Sequence, residues 1–184
     1  QFGANKGLWA PFITSSGESF FYSPPLGLMR REMPAPVRGG ILASEMGLGK
    51  TIMALGLCLS NPAPTPLPSL GANGSRVASK GTLVVCAVSL VGQWIEEAQS
   101  KLNMPGMRVY GYHGQGRNRN PAFLAAQDIV VTTYSILSSD SGYWAKQHAK
   151  SNPNLAYTAP LDSIQWHRII LDESHSIKQH NSGQ

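Results

Sequence analysis

Gly40-Ile41-Leu42-Ala43-Ser44-Glu45-Met46-Gly47-Leu48-Gly49-Lys50-Thr51 runs straight into a second apolar stretch, Ile52 to Leu59. An apolar run, a loop with two glycines and another apolar run spell strand, turn, helix. In that setting the loop has a chemical meaning. Gly47 and Gly49 carry no Cβ, so backbone N–H groups can turn inward. Together with the N-terminus of the following helix they form a concavity suited to phosphate oxygens. Lys50 is placed to reach the outer phosphates of a nucleotide, and the Thr51 hydroxyl to hold Mg²⁺ between them. Glu45, Met46 and Leu48 complete the cradle through their backbone. The strict pattern asks for glycine six residues before the lysine, where this chain has Ser44.

Far downstream lies Trp166-His167-Arg168-Ile169-Ile170-Leu171-Asp172-Glu173-Ser174-His175. The run Ile169 to Leu171 predicts a parallel strand covered on both faces. Asp172 and Glu173 then stand at its carboxyl end, where open α/β sheets bind their ligands. Asp172 suits the Mg²⁺ shell, and Glu173 suits the orientation or deprotonation of an attacking water. The acidic pair alone also reads as a strand followed by an acidic helix N-cap, which is common. Its order behind the glycine loop is what gives it a catalytic reading.

These segments resemble the motor of Swi/Snf-type DNA translocases, within helicase superfamily two. Gly39 to Thr51 is similar to motif I, and Asp172-Glu173-Ser174-His175 to motif II, usually Asp-Glu-Ala-His. Leu83 to Trp94 resembles motif Ia and Val130 to Tyr134 motif Ib. Tyr112-His113-Gly114 with Arg117 fits the segment between them. Ser44 departs from the family's Asp, and Ser174 from its Ala. The Ser-His ending and Phe20-Phe21-Tyr22-Ser23-Pro24 are similar to the RING-bearing repair branch typified by helicase-like transcription factor. The resemblance implies a RecA-like, doubly wound parallel sheet forming the first of two lobes, with the second lobe and any RING finger outside these residues. It also implies ATP and Mg²⁺ as cofactors, His175 in the catalytic set and a nuclear protein. Double-stranded DNA is the implied partner, gripped by its backbone, alongside nucleosomal or ubiquitin-pathway proteins. Because the arginines that reach the γ-phosphate come from the second lobe, these residues alone are expected to hydrolyse ATP hardly at all. The implied DNA contacts are Ser89, Gln93, Arg117, Thr132 and Thr133. By position alone, Ser89 also reads as a cap of its helix, and Arg117 and Arg119 as solvated charges. His113 reads as structural.

Along the chain, residues 1–38 lead into the lobe, which occupies 39–184. Strands are predicted at Ile41 to Ala43, Thr82 to Val88, Met107 to Tyr112 and Ile129 to Thr132. Helices are predicted at Thr51 to Leu59, Leu90 to Leu102 and Pro121 to Ala126. The first of these shows no polar face and is expected to be well buried. Val91, Trp94, Ile95, Ala98 and Leu102 form one stripe on the second, with Glu97 and Lys101 paired outside. Residues 61–80, punctuated by Pro62, Pro64, Pro66 and Pro68, read as a solvated insertion. Residues 138–160 read as a second, polar and irregular one. Alternating strands and helices imply an α/β fold with helices on both faces of a parallel sheet.

Composition sets limits. A chain of 184 residues with 42% hydrophobic content supports one sizeable core. Fifteen basic against ten acidic residues give +5, compatible with a polyanionic partner. Cys58 and Cys86 sit in apolar runs and read as buried thiols of a reducing compartment. The histidines form no metal-ligand spacing, and no segment is long and apolar enough to span a membrane. A GTPase would need Asn-Lys-x-Asp, which Asn5-Lys6-Gly7-Leu8 does not supply. The remaining rival is a non-enzymatic module, a degenerate or truncated lobe serving as a binding surface, favoured only by Ser44.

Overall fold

The computed structural model describes residues 9–34, 38–67, 76–102, 104–151 and 159–177. It divides into two compact units, residues 1–43 and 44–184. In the first, β1 (Ala10–Ile13), β2 (Ser19–Ser23) and β3 (Leu28–Arg30) form an antiparallel meander in that order. The β1–β2 turn is tied by Thr14 Oγ1, which accepts the Glu18 N–H at 3.0 Å, while Gly17 takes φ +82°.

The second unit begins with the glycine loop and α1 (Lys50–Ser60). After β4 (Val77–Ala78) come β5 (Thr82–Cys86), a 3-10 turn at Val88–Leu90, and α2 (Val91–Leu102). Then follow β6 (Val109–Gly111), α3 (Pro121–Ala125), β7 (Ile129–Thr133) and α4 (Tyr134–Ser151). The short β8 (Ile164–Gln165) pairs with β4, and β9 (Arg168–Leu171) closes the set. Strands β6, β7, β5 and β9 form one parallel sheet in that order. The register sets Cys86 beside Thr133, and Val85 beside Leu171, so the carboxyl ends of β5, β7 and β9 are level.

Alternation along the strands builds a core on each face. Val84, Cys86, Ile129 and Val131 pack against Leu55 of α1 and Val91, Trp94 and Ala98 of α2. Leu83, Val85 and Val130 pack against Leu124 of α3 and the first turn of α4, with Leu161 and Ile164. The chain steps one way across the sheet between β5 and β6, and the other way from β6 through β7 to β9. Right-handed crossovers require helices on opposite faces for opposite steps. The α/β class with helices on both faces, read from the alternation of elements, holds.

Several expectations are corrected. Gly40 to Ala43 form no strand: Ile41 is 94% exposed and pairs with nothing among the described residues. Three apolar residues behind two glycines have few ladder bonds to offset the entropy that ordering the glycines costs. The contact boundary falls between Ala43 and Ser44, so this run and the loop belong to different units. In the described sheet β9 is therefore an edge, and Ile169 (57%) and Leu171 (47%) are exposed rather than covered. Helix α1 buries only Leu55, because a helix laid on one face of a sheet can cover a single stripe. Much of the segment read as irregular from residue 138 is α4. Its polarity hid a helix that starts apolar at Ile136 and Leu137. Glu97 accepts a hydrogen bond from Gln93 Nε2 at 2.8 Å, on the face assigned to a pair with Lys101. The insertion residues 68–75 lie outside the described residues, as do 152–158.

Candidate nucleotide site

The glycine loop is open. Glu45, Met46, Gly47, Leu48 and Gly49 are exposed, while Ser44, Lys50 and Thr51 are half-buried. Gly47 (φ +82°) and Gly49 (φ +74°) occupy the left-handed region, and a Cβ built on either meets no atom within 4 Å. The glycines thus serve conformation, turning the chain where L-residues are strained. Gly49 caps α1 with no side-chain acceptor for the first-turn N–H groups, and no acidic residue stands in that turn. Those donors and the positive end of the helix are left to a ligand. Lys50 curls back over the loop, its Nζ donating to the carbonyls of Ser44 at 2.8 Å and Glu45 at 2.9 Å. A cation held only by two neutral carbonyls can exchange them for anionic oxygens at little cost.

Asp172 continues β9 past its last paired residue, its N–H donating to the Val85 carbonyl at 2.8 Å. Its carboxylate Oδ2 accepts from Trp94 Nε1 at 2.8 Å, and its carbonyl accepts from the Tyr134 hydroxyl at 2.8 Å. The next residue, Glu173, is the one non-glycine with positive φ (+49°) among the described residues. Such strain persists where surrounding structure imposes it, and it clusters at functional sites. His175 Nδ1 lies 3.1 Å from Glu173 Oε2. Charge from this end reaches the core: burial first, then the Asp172 charge, pushes the Cys86 thiol up to about 11. Cys86 stays a neutral packing group, as its apolar strand suggested; Cys58 is only half-buried. Burial, followed by the charge of Asp172, also raises Tyr134, which keeps its phenol a donor.

The segments named for DNA contact divide. Ser89, in the 3-10 turn, and Gln93, in the first turn of α2, are exposed. Thr132 and Thr133 point into the protein. Thr132 Oγ1 donates to the Tyr112 carbonyl at 3.1 Å, and Thr133 Oγ1 accepts the Ile136 N–H at 3.2 Å, capping α4. Arg117 also turns inward. Its Nη2 meets Asp140 Oδ1 at 2.5 Å and its Nη1 donates to the Gly114 carbonyl at 2.6 Å. The side chain keeps 11% of its exposure, against 9% for Asp140. The Tyr112 hydroxyl donates to the other Asp140 oxygen at 2.7 Å, and the guanidinium lies over the Tyr112 ring. Burial and the bond to Asp140 push the Tyr112 phenol up to about 12. Sequence reasoning missed this triad. Its members lie just after β6, in the following loop and on α4, with no local pattern joining them. His113 is exposed, its neighbour Tyr112 having taken the buried place.

The residues present suit a magnesium nucleotide. The loop offers unsatisfied N–H donors, a movable lysine and a hydroxyl. At the carboxyl end of β9, Asp172 offers a carboxylate oxygen, the hard donor that Mg²⁺ prefers. Among the described residues, no group of three His, Cys, Asp or Glu forms a metal site, and no helix is long and apolar enough to cross a membrane.

Residues 25–184 match the family described as the SNF2-related domain. The DNA repair protein RAD5A of Arabidopsis thaliana is 31% identical, over 79% of this chain and 17% of its own length. The DNA repair protein rad5 of Aspergillus fumigatus is 36% identical, over 90% of this chain and 15% of its own. Helicase-like transcription factor of Oryctolagus cuniculus is 37% identical, over 62% of this chain and 11% of its own. The chain thus spans about a sixth or less of the length of these curated relatives. With a parallel sheet, a glycine loop opening a helix and an Asp-Glu pair ending the last strand, it belongs to the SNF2-related domain family.

Proposed function

We propose that these residues are the first, ATP-binding lobe of a two-lobed motor that uses Mg-ATP hydrolysis to move along double-stranded DNA in the nucleus, in repair or chromatin remodelling. The observation that carries this is the pairing of an open glycine loop with a strained Asp172-Glu173 step at the level carboxyl ends of β5, β7 and β9. Bound Mg-ATP supplies a metal that shields the phosphate charge. The backbone N–H groups of Gly47 and Gly49 and the first turn of α1 bind the phosphates, while Lys50 leaves its two carbonyls for the outer ones. Thr51 and Asp172 would hold the metal. Glu173 orients the attacking water and takes its proton; His175, beside it, steadies that carboxylate. Residues 39–184 form the lobe and residues 1–38 its lead-in.

For DNA, the exposed Ser89 and Gln93 at the N-terminal end of α2 make the phosphate contacts, which fix position without reading sequence. Thr132 and Thr133 act from inside, holding the end of β7, and Arg117 holds the loop after β6. A lobe touching a few phosphates should lose DNA affinity with salt at a log–log slope of about two to four, at ~0.9 per phosphate neutralised. Fluorescence anisotropy on short duplexes from low to moderate salt measures it. Affinity indifferent to salt, or selective among sequences of equal length, would contradict this reading.

A further inference from the structure

Asp172 is held at three atoms by three different elements. Its N–H is bonded to β5, its carbonyl accepts from Tyr134 at the first position of α4, and its Oδ2 accepts from Trp94 on α2. Trp94 is 3% exposed and packed in the core between α2 and the sheet, so its indole N–H has no freedom to follow a moving carboxylate. Both side chains donate one hydrogen bond each and carry no charge. With Oδ2 engaged, the other carboxylate oxygen, for which the described residues show no protein hydrogen bond, is the one left to face a metal. Neither donor is adjacent in sequence: Trp94 lies 78 residues before Asp172, and Tyr134 lies 38 before it.

We infer that Trp94 and Tyr134 are positioning residues that fix the Asp172 carboxylate in the orientation its metal requires. The inference rests on the reading of Asp172 as the metal ligand. Partners that hold a ligating side chain in place commonly contribute 10–100-fold in metal affinity. The indole acts on the carboxylate directly. The phenol acts on the backbone just ahead of the strained Glu173, so its loss should have the smaller effect. Trp94 follows the exposed Gln93, and Tyr134 follows the helix-capping Thr133. A displacement at the start of α2 would therefore be felt at the carboxylate, and one at the start of α4 at the Asp172 backbone.

The test is titration of the chain with a fluorescent ATP analogue, once with Mg²⁺ and once with EDTA, in wild type, Trp94→Phe, Tyr134→Phe and Asp172→Ala. The ratio of the two affinities isolates the metal-dependent part. Trp94→Phe should lower that ratio by about tenfold or more, and Tyr134→Phe by a smaller factor, with metal-free affinity unchanged in both. Tyr134→Phe keeps the ring and tests the inference even where loss of the indole loosens the core. A ratio that falls in Asp172→Ala but stays at wild type in both other variants overturns the inference and leaves the metal ligand standing. Equal losses with and without metal show only general damage and also overturn it. A ratio unmoved by Asp172→Ala removes the metal-ligand reading and the inference with it.

Discussion

Replacing Glu173 by Gln in a polypeptide carrying both lobes should lower ATP turnover by about 10²–10⁴-fold, the usual contribution of a positioned general base. Nucleotide affinity should stay near wild type. Gln keeps the shape of Glu and can occupy the same left-handed backbone position at φ +49°, but it cannot take a proton. Steady-state hydrolysis beside equilibrium binding separates the two effects. Asp172→Ala should behave oppositely, weakening Mg²⁺-dependent binding itself. Equal loss of binding in the two variants would show that the carboxylates do not divide the work.

Asp140→Ala should destabilise the chain by about 3–5 kcal/mol, the range observed when one partner of a buried ion pair is removed. Arg117 would keep its charge with its carboxylate gone, and Tyr112 would lose its acceptor. Asp140→Asn retains an acceptor and should cost less, while removing Arg117 and Asp140 together should cost less than the sum of the single changes. Denaturant unfolding of the four proteins measures the coupling. Additive losses would mean that Arg117 is not locked to Asp140, and would return it to solvent and to DNA.

How much of this was legible in the sequence depends on whether the deciding contact was local. β5 and β7 were visible because strands covered on both faces need unbroken apolar runs, and Leu83 to Cys86 and Ile129 to Val131 supply them. The stripe of α2 was visible because Val91, Trp94 and Ala98 recur at helical spacing. The glycine loop was visible because its φ requirements admit little else than glycine. Ile41 to Ala43 misled because an apolar run reports a wish for burial, not that a partner strand is met. The inward turn of Arg117 depends on Asp140, 23 residues away on α4. A basic residue in a glycine-rich loop looks the same whether it faces solvent or a buried carboxylate. The meander of β1, β2 and β3 was missed because strands of three to five residues carry too little alternation to stand out.

The claim that Ser44 to Thr51 bind nucleotide phosphate is tested most directly by calorimetry of ATP binding to the chain and to its Lys50→Ala variant. Lys50 surrenders bonds to two loop carbonyls when it reaches a phosphate, so what counts is the difference between neutral and anionic acceptors. A charge-assisted bond of this kind contributes about 1.5–3 kcal/mol, or roughly 10- to 150-fold in affinity. A loss in that range, with the thermal unfolding of the free protein little changed, is the predicted result. ATP affinity the same in both proteins would contradict the phosphate site and the motor reading built on it.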